Sequence, residues 1–159
     1  MLADSSPFAG DWRPIPPPTD NLVRDFSHIV KKPPALRVLV VDDEPLIRWS
    51  LTETLNDCGH QVVETGDGRG ARGAMRDASR HFDVVLLDYR LPDSEDLSLL
   101  ASIRQLSPQT QVILMTAYGT PEVVRGALDL GAFRVISKPI EMHAVAGLIA
   151  RAHNAGRAQ

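Results

Sequence analysis

The chain has 159 residues and a formal net charge of −3, enough for one domain of ordinary size plus a tail. With 43% hydrophobic and 23% charged residues, it has the composition of a soluble globular protein, not of a disordered chain or a nucleic-acid binder. No apolar run approaches the roughly 18 residues of a membrane span, and the start MLADSSPFAGDW lacks the basic and apolar parts of a secretory signal. Cys58, the single cysteine, cannot form an internal disulfide, which suits a reducing compartment and points to the cytoplasm. It reads as a small buried apolar residue near a helix end.

Prolines crowd the beginning: Pro7, Pro14, Pro16, Pro17, Pro18, Pro33 and Pro34 all precede residue 35, which marks residues 1–35 as an arm or linker. Within it Leu22, Val23, Phe26, Ile29 and Val30 recur at helical spacing, predicting a short helix over 20–31. Asp20 can cap that helix, and Lys31-Lys32-Pro33-Pro34 stops it.

From Leu36 the pattern changes. Residues 36–41 form a β-branched run ending in acid, 61–64 reads as an edge strand, and 82–87, 112–115 and 135–136 are further apolar runs. Such continuous apolar runs suit strands buried on both faces of a parallel sheet. Helical patterns fill the intervals at 45–57, 68–79, 95–106, 121–130 and 141–153. In the first, Ile47, Leu51, Thr54 and Leu55 share a face and Pro45 sits where a helix begins; in the third, Leu97, Leu100, Ile103 and Leu106 share one. Strand and helix alternate five times, which predicts an α/β domain over 36–155: a doubly wound five-stranded parallel sheet flanked by five helices.

Binding crevices of such sheets lie beyond the carboxyl ends of the strands, so the residues after each run are the informative ones. These are Asp42, Asp43 and Glu44, then Asp88, then Thr116, then Lys138 and Pro139. Each alone has a plain explanation. Asp43 or Glu44 can cap a helix, Asp88 can open a turn, Thr116 can cap the next helix, and Lys138 can be a solvated strand end. Together they are harder to dismiss, because clustered carboxylates repel one another unless a cation sits among them. Oxygen-only ligands from few protein donors favour Mg²⁺.

The blocks Val40-Val41-Asp42-Asp43-Glu44-Pro45, Leu86-Leu87-Asp88-Tyr89-Arg90-Leu91-Pro92, Met115-Thr116-Ala117 and Ser137-Lys138-Pro139 resemble the signature blocks of response-regulator receiver domains, in order, over about residues 36–153. The helix from Pro45 to Leu55 and the stretch Leu91-Pro92-Asp93-Ser94 look most like receivers attached to enhancer-binding transcription activators. The resemblance implies a flavodoxin-like receiver fold and a phosphoacceptor, Asp88, that attacks a phosphohistidine on a sensor histidine kinase or histidine phosphotransfer protein. It implies Mg²⁺ bound directly by Asp43, Asp88 and the main-chain carbonyl of Arg90, with Asp42 acting through water. Lys138 and Thr116 are then the phosphoryl-binding residues, and the peptide before Pro139 is cis. The resemblance further implies that the chain is no enzyme beyond its own phosphorylation and dephosphorylation, and that its output is transcriptional.

Two positions depart from the pattern. Val135 stands three places before Lys138, where receivers usually carry an aromatic switch residue, and Asp96 stands where many have glycine. Thr116, Val135 and Tyr118 are therefore the switch candidates. A haloacid-dehalogenase-type phosphatase would need a second aspartate two places after Asp88, where Arg90 stands. A flavin module would have to place phosphate among carboxylates, and a degenerate receiver would lack part of the set. The remaining expectations are a possible homodimer, with Trp49 as an exposed docking point for the arm, and no direct contact with nucleic acid or membrane.

Overall fold

The computed structural model describes residues 32–159; the helix expected over 20–31 lies outside them. Five strands, β1 (Arg37–Val41), β2 (Gln61–Thr65), β3 (Val84–Asp88), β4 (Gln111–Thr116) and β5 (Arg134–Ser137), form one parallel sheet in the order β2-β1-β3-β4-β5. The register aligns Val41 with Leu87 and Asp88 with Met115, so the carboxyl ends of the central strands lie side by side.

Five helices cover the sheet: α1 (Pro45–Asp57), α2 (Gly68–Arg76), α3 (Ser98–Leu106), α4 (Pro121–Asp129) and α5 (Met142–Arg157). Strand side chains alternate between two cores, as a period of two requires. Val38, Val40, Val84, Leu86, Ile113 and Met115 pack with Leu51 and Leu55 of α1 and Val145, Leu148 and Ile149 of α5. Leu39, Val41, Val85, Leu87, Val112 and Leu114 face Ala71 of α2, Leu99, Leu100 and Ile103 of α3, and Ala127 of α4. Each fully buried Leu or Val contributes about 1.5–3 kcal/mol. That burial holds the central strands, and with them the residues at their ends.

Several boundaries differ from the sequence pattern, each for a local reason. The second helix ends at Arg76 because Asp77 turns extended and its carboxylate accepts hydrogen bonds from the Ser79 backbone N–H and hydroxyl. The third starts at Ser98, because Leu91 and Ser94 close a tight turn on each other and Asp96 accepts from Ser98 N–H. The last continues to Arg157. Leu106, the last residue of α3, is 42% exposed. Cys58 is exposed, not buried. It ends α1, and Gly59 at φ 88° reverses the chain there, a conformation glycine adopts without a Cβ clash. His60, just beyond, is buried with Nδ1 accepting the Leu36 N–H at 3.2 Å, and burial pushes its imidazole below the usual range, against the raising charge of Asp83. Trp49 is 59% exposed on the outer face of α1. Among the described residues no helix is long and apolar enough to cross a membrane.

Candidate functional site

Where β1, β3, β4 and β5 end, the chain places Asp42, Asp88, Thr116 and Lys138 together. Asp42 and Asp88 are buried at 0% and 6% exposure and Thr116 at 3%, while Asp43 and Glu44 stand exposed at the rim. The Lys138 Nζ lies 2.9 Å from Asp42 Oδ2, 3.1 Å from Asp88 Oδ2 and 3.2 Å from Glu44 Oε1. Asp88, Glu44 and Lys138 line a cleft of about 240 Å³ together with Asp43, Arg90, Thr116, Ala117 and Tyr118, and Asp42 lies buried beneath it.

Backbone hydrogen bonds lock this end of the sheet. Tyr89 N–H donates to Met115 O, Lys138 N–H to Thr116 O, and Asp42 N–H to Thr65 O. Glu44 occupies the N-cap of α1, yet its side chain caps nothing there. Instead Asp42 Oδ1 accepts the Glu44 N–H at 2.9 Å. Thr116 does not cap α4 either; that role falls to Thr120, whose hydroxyl accepts the Val123 N–H. The Thr116 hydroxyl accepts the Tyr118 N–H at 3.2 Å. The Lys138–Pro139 peptide is cis.

The electrostatics are those of carboxylates sharing too little positive charge. Burial pushes the Asp88 carboxyl up, the charge of Asp42 adds to that, and Lys138 pulls it back, leaving it at about 6. Burial alone would lower the Lys138 ammonium, but Asp42 and Asp88 outweigh it and hold the ammonium well above the usual lysine range. Asp88 rises because it is buried beside a second carboxylate, and Lys138 rises because two carboxylates face its ammonium. Asp42 Oδ2 is buried and, among the described residues, is met by the Lys138 ammonium at 2.9 Å with no further hydrogen-bond donor.

One oxygen from each of Asp42, Asp43, Glu44 and Asp88 lies within 4.8 Å of the others. Hard oxygen donors, two buried carboxylates sharing one ammonium and excess negative charge suit a divalent cation such as Mg²⁺. Sequence reading alone did not single out Glu44 as a partner of Lys138, Arg48, whose Nη1 donates to Asp42 O at 2.7 Å, or Asp93, whose carboxylate accepts Gly68 N–H at 2.7 Å and Arg69 N–H at 2.9 Å. Nothing in helical or strand periodicity signals such polar contacts.

A parallel sheet ordered 2-1-3-4-5, with an acidic cluster and a lysine at its carboxyl edge, is the architecture of a signal-receiver module. The chain belongs to the response regulator receiver domain family, whose sequence profile matches residues 38–150. It is similar to response regulator protein PilR of Pseudomonas aeruginosa, 39% identical over 117 residues that cover 73% of this chain and 26% of that protein. Sporulation initiation phosphotransferase F of Bacillus subtilis is 30% identical over 106 residues, covering 67% of this chain and 84% of the relative. The crystal structure of a CheY-like response regulator receiver domain protein from Methanospirillum hungatei superposes with a TM-score of 0.73 at 26% identity, covering 78% of this chain and 98% of the other. The chain thus spans 26% of PilR, and 24% of the DNA-binding transcriptional regulator NtrC of Salmonella typhimurium, to which it is 36% identical.

Proposed function

We propose that the chain accepts a phosphoryl group on Asp88 from the phosphohistidine of a sensor histidine kinase or histidine phosphotransfer protein. The observation that carries this reading is the Asp88 carboxylate, 3.1 Å from the Lys138 ammonium in a cleft rimmed by acids. An Asp88 oxygen forms the bond to phosphorus while the phosphorus–nitrogen bond breaks and the imidazole leaves. Lys138 turns from the carboxylates to a phosphoryl oxygen, and the Thr116 hydroxyl donates to another. Asp43, Asp88 and the Arg90 carbonyl would hold Mg²⁺, with the Asp42 carboxylate beside them. When bound, Mg²⁺ supplies positive charge against the negative charge that gathers on the transferring group. Positioning and charge neutralisation are most of what phosphoryl transfer requires of a protein.

Incubation with a small acyl phosphate, read by intact mass, tests this. The expected result is one phosphoryl group per chain with Mg²⁺ and none with EDTA. Equal modification in EDTA would overturn the reading.

The response to phosphorylation runs through Thr116, whose hydroxyl gains a charge-assisted hydrogen bond. Val135, half-buried against the core, offers no ring to trade places with it, and Tyr118, 78% exposed beside the cleft, takes over that part. Differential contacts of this kind are what shift a population. Structures with and without beryllofluoride are expected to show Tyr118 displaced. An unmoved Tyr118 with a rearranged Val135 would sink the idea.

The likeness to PilR and NtrC supports a transcriptional output through other parts of a longer protein, with no nucleic acid touched by this chain. The same reading divides it into an arm, 1–35, and a receiver, 36–155. It places the chain in the cytoplasm beside its kinase and allows a homodimer.

A further inference from the structure

We propose that Arg48 is a positioning residue for the Mg²⁺ site: its guanidinium fork pins the acidic β1–α1 loop to β2. The inference rests on the phosphoacceptor reading and goes beyond it, because Arg48 belongs neither to the acidic cluster nor to the residues lining the cleft.

The loop in question is short, Asp42 to Glu44, and carries three carboxylates. Like charges so close push the loop apart unless its backbone is held. Its backbone is held at three points. Asp42 N–H donates to Thr65 O at 3.1 Å, Glu44 N–H donates to Asp42 Oδ1 at 2.9 Å, and the Asp42 carbonyl accepts from Arg48 Nη1 at 2.7 Å. The last bond fixes the peptide plane between Asp42 and Asp43, and so the direction from which the Asp43 side chain leaves.

Arg48 is itself anchored. Its Nε lies 3.7 Å from Glu64 Oε1 on β2, and Glu64 Oε2 accepts the Thr52 hydroxyl at 2.8 Å. Arg48 and Thr52 are one helical turn apart on α1, so the helix grips Glu64 at two points. Gly66 completes the arrangement. A Cβ there would stand 3.2 Å from Arg48 Nη1 and 3.9 Å from the Asp42 carbonyl, crowding the fork. A lysine could reach one acceptor but not span both, because only guanidinium offers several donors in a fixed plane. Groups that orient metal ligands without touching the metal commonly matter about 10–100-fold in metal affinity.

Calorimetric titration of the full chain with MgCl₂ alone, without any phosphoryl donor, tests the proposal. Arg48→Ala is expected to weaken Mg²⁺ binding about 10-fold and to speed hydrogen exchange at the Glu44 amide in metal-free protein. Arg48→Lys is expected to be weakened as well, by the same amount or less. Val145→Ala, a core change on α5, lowers stability without touching the loop and is expected to leave Mg²⁺ affinity unchanged. Arg48→Ala binding Mg²⁺ within twofold of wild type would overturn the inference while leaving the phosphoacceptor reading intact. Arg48→Lys titrating as wild type would assign the effect to charge and overturn the clamp. Wild-type protein that binds no Mg²⁺ would overturn the phosphoacceptor reading and this inference with it.

Discussion

Lys138→Ala is expected to slow phosphorylation by acyl phosphates about 10²–10³-fold, the usual cost of removing one preorganised group that meets charge developing in a transition state. The same change strips two buried carboxylates of their ammonium, which lies 2.9 Å from Asp42 and 3.1 Å from Asp88. Breaking a buried pair by deleting one partner costs about 3–5 kcal/mol, because the remaining charge is left without compensation. That loss is expected in urea unfolding at pH 8 in EDTA. It shrinks near pH 5, where Asp88 takes up a proton, and much of it returns when saturating Mg²⁺ replaces the missing positive charge. A Lys138→Ala protein as stable as wild type in EDTA at pH 8, with an unaltered phosphorylation rate, would remove Lys138 from the site.

Asp88→Asn is expected to stabilise the metal-free protein at neutral pH and to abolish phosphorylation. The Asp88 carboxyl sits at about 6 in the fold against 3.8 in its ordinary state, so the fold favours its protonated form. A group raised in this way supports the fold fully below 3.8 and loses that support as pH rises through about 6. The Asp88 contribution to the stability of metal-free wild-type protein therefore falls between about pH 4 and 7, while His60, held below its usual range, works in the opposite direction. At about 1.4 kcal/mol per pH unit, the rise from 3.8 to about 6 sets a ceiling of about 3 kcal/mol on this contribution. Asp88→Asn, with no charge to acquire, lacks the slope. Saturating Mg²⁺ is expected to flatten it in wild type by favouring the ionised form. Urea midpoints at pH 4.5 and 7.5, in EDTA and in Mg²⁺, give the four numbers needed. A wild-type protein more stable at pH 7.5 than at 4.5 by more than Asp88→Asn, in EDTA, would contradict the assigned strain.

Much of this arrangement is legible in the amino-acid sequence, for a physical reason. Strands buried on both faces are continuous apolar runs, so the first polar residue after each run falls on the sheet's carboxyl edge; Asp42, Asp88 and Thr116 stand out in that way. Pro45 fixed the start of α1 to the residue. Helix ends were less readable, because local competition decides them. The Asp77 side chain bonding to Ser79 and the Leu91–Ser94 turn each removed a helical turn that periodicity allowed. Exposure at the ends escaped for a related reason. Leu106 and Cys58 sit one step from buried faces, but at the points where their helices end. Least readable are the polar ties outside any repeat, the local one from Arg48 to Asp42 and the distant ones from Lys138 to Glu44 and from Asp93 to the start of α2. Each joins positions whose separation in sequence carries no period.

Reductive trapping tests the central claim most directly. A carboxyl phosphorylated on its oxygen is a mixed anhydride, and borohydride reduces it to an alcohol, converting a phosphorylated aspartate to homoserine. Wild-type protein treated with acyl phosphate and Mg²⁺, then borohydride, is expected to carry homoserine at position 88 and nowhere else when its peptides are mapped by mass. Homoserine at Asp42, Asp43 or another carboxylate in place of Asp88, or trapping that persists at full yield in Asp88→Asn, would contradict the assignment of Asp88 as the phosphoacceptor.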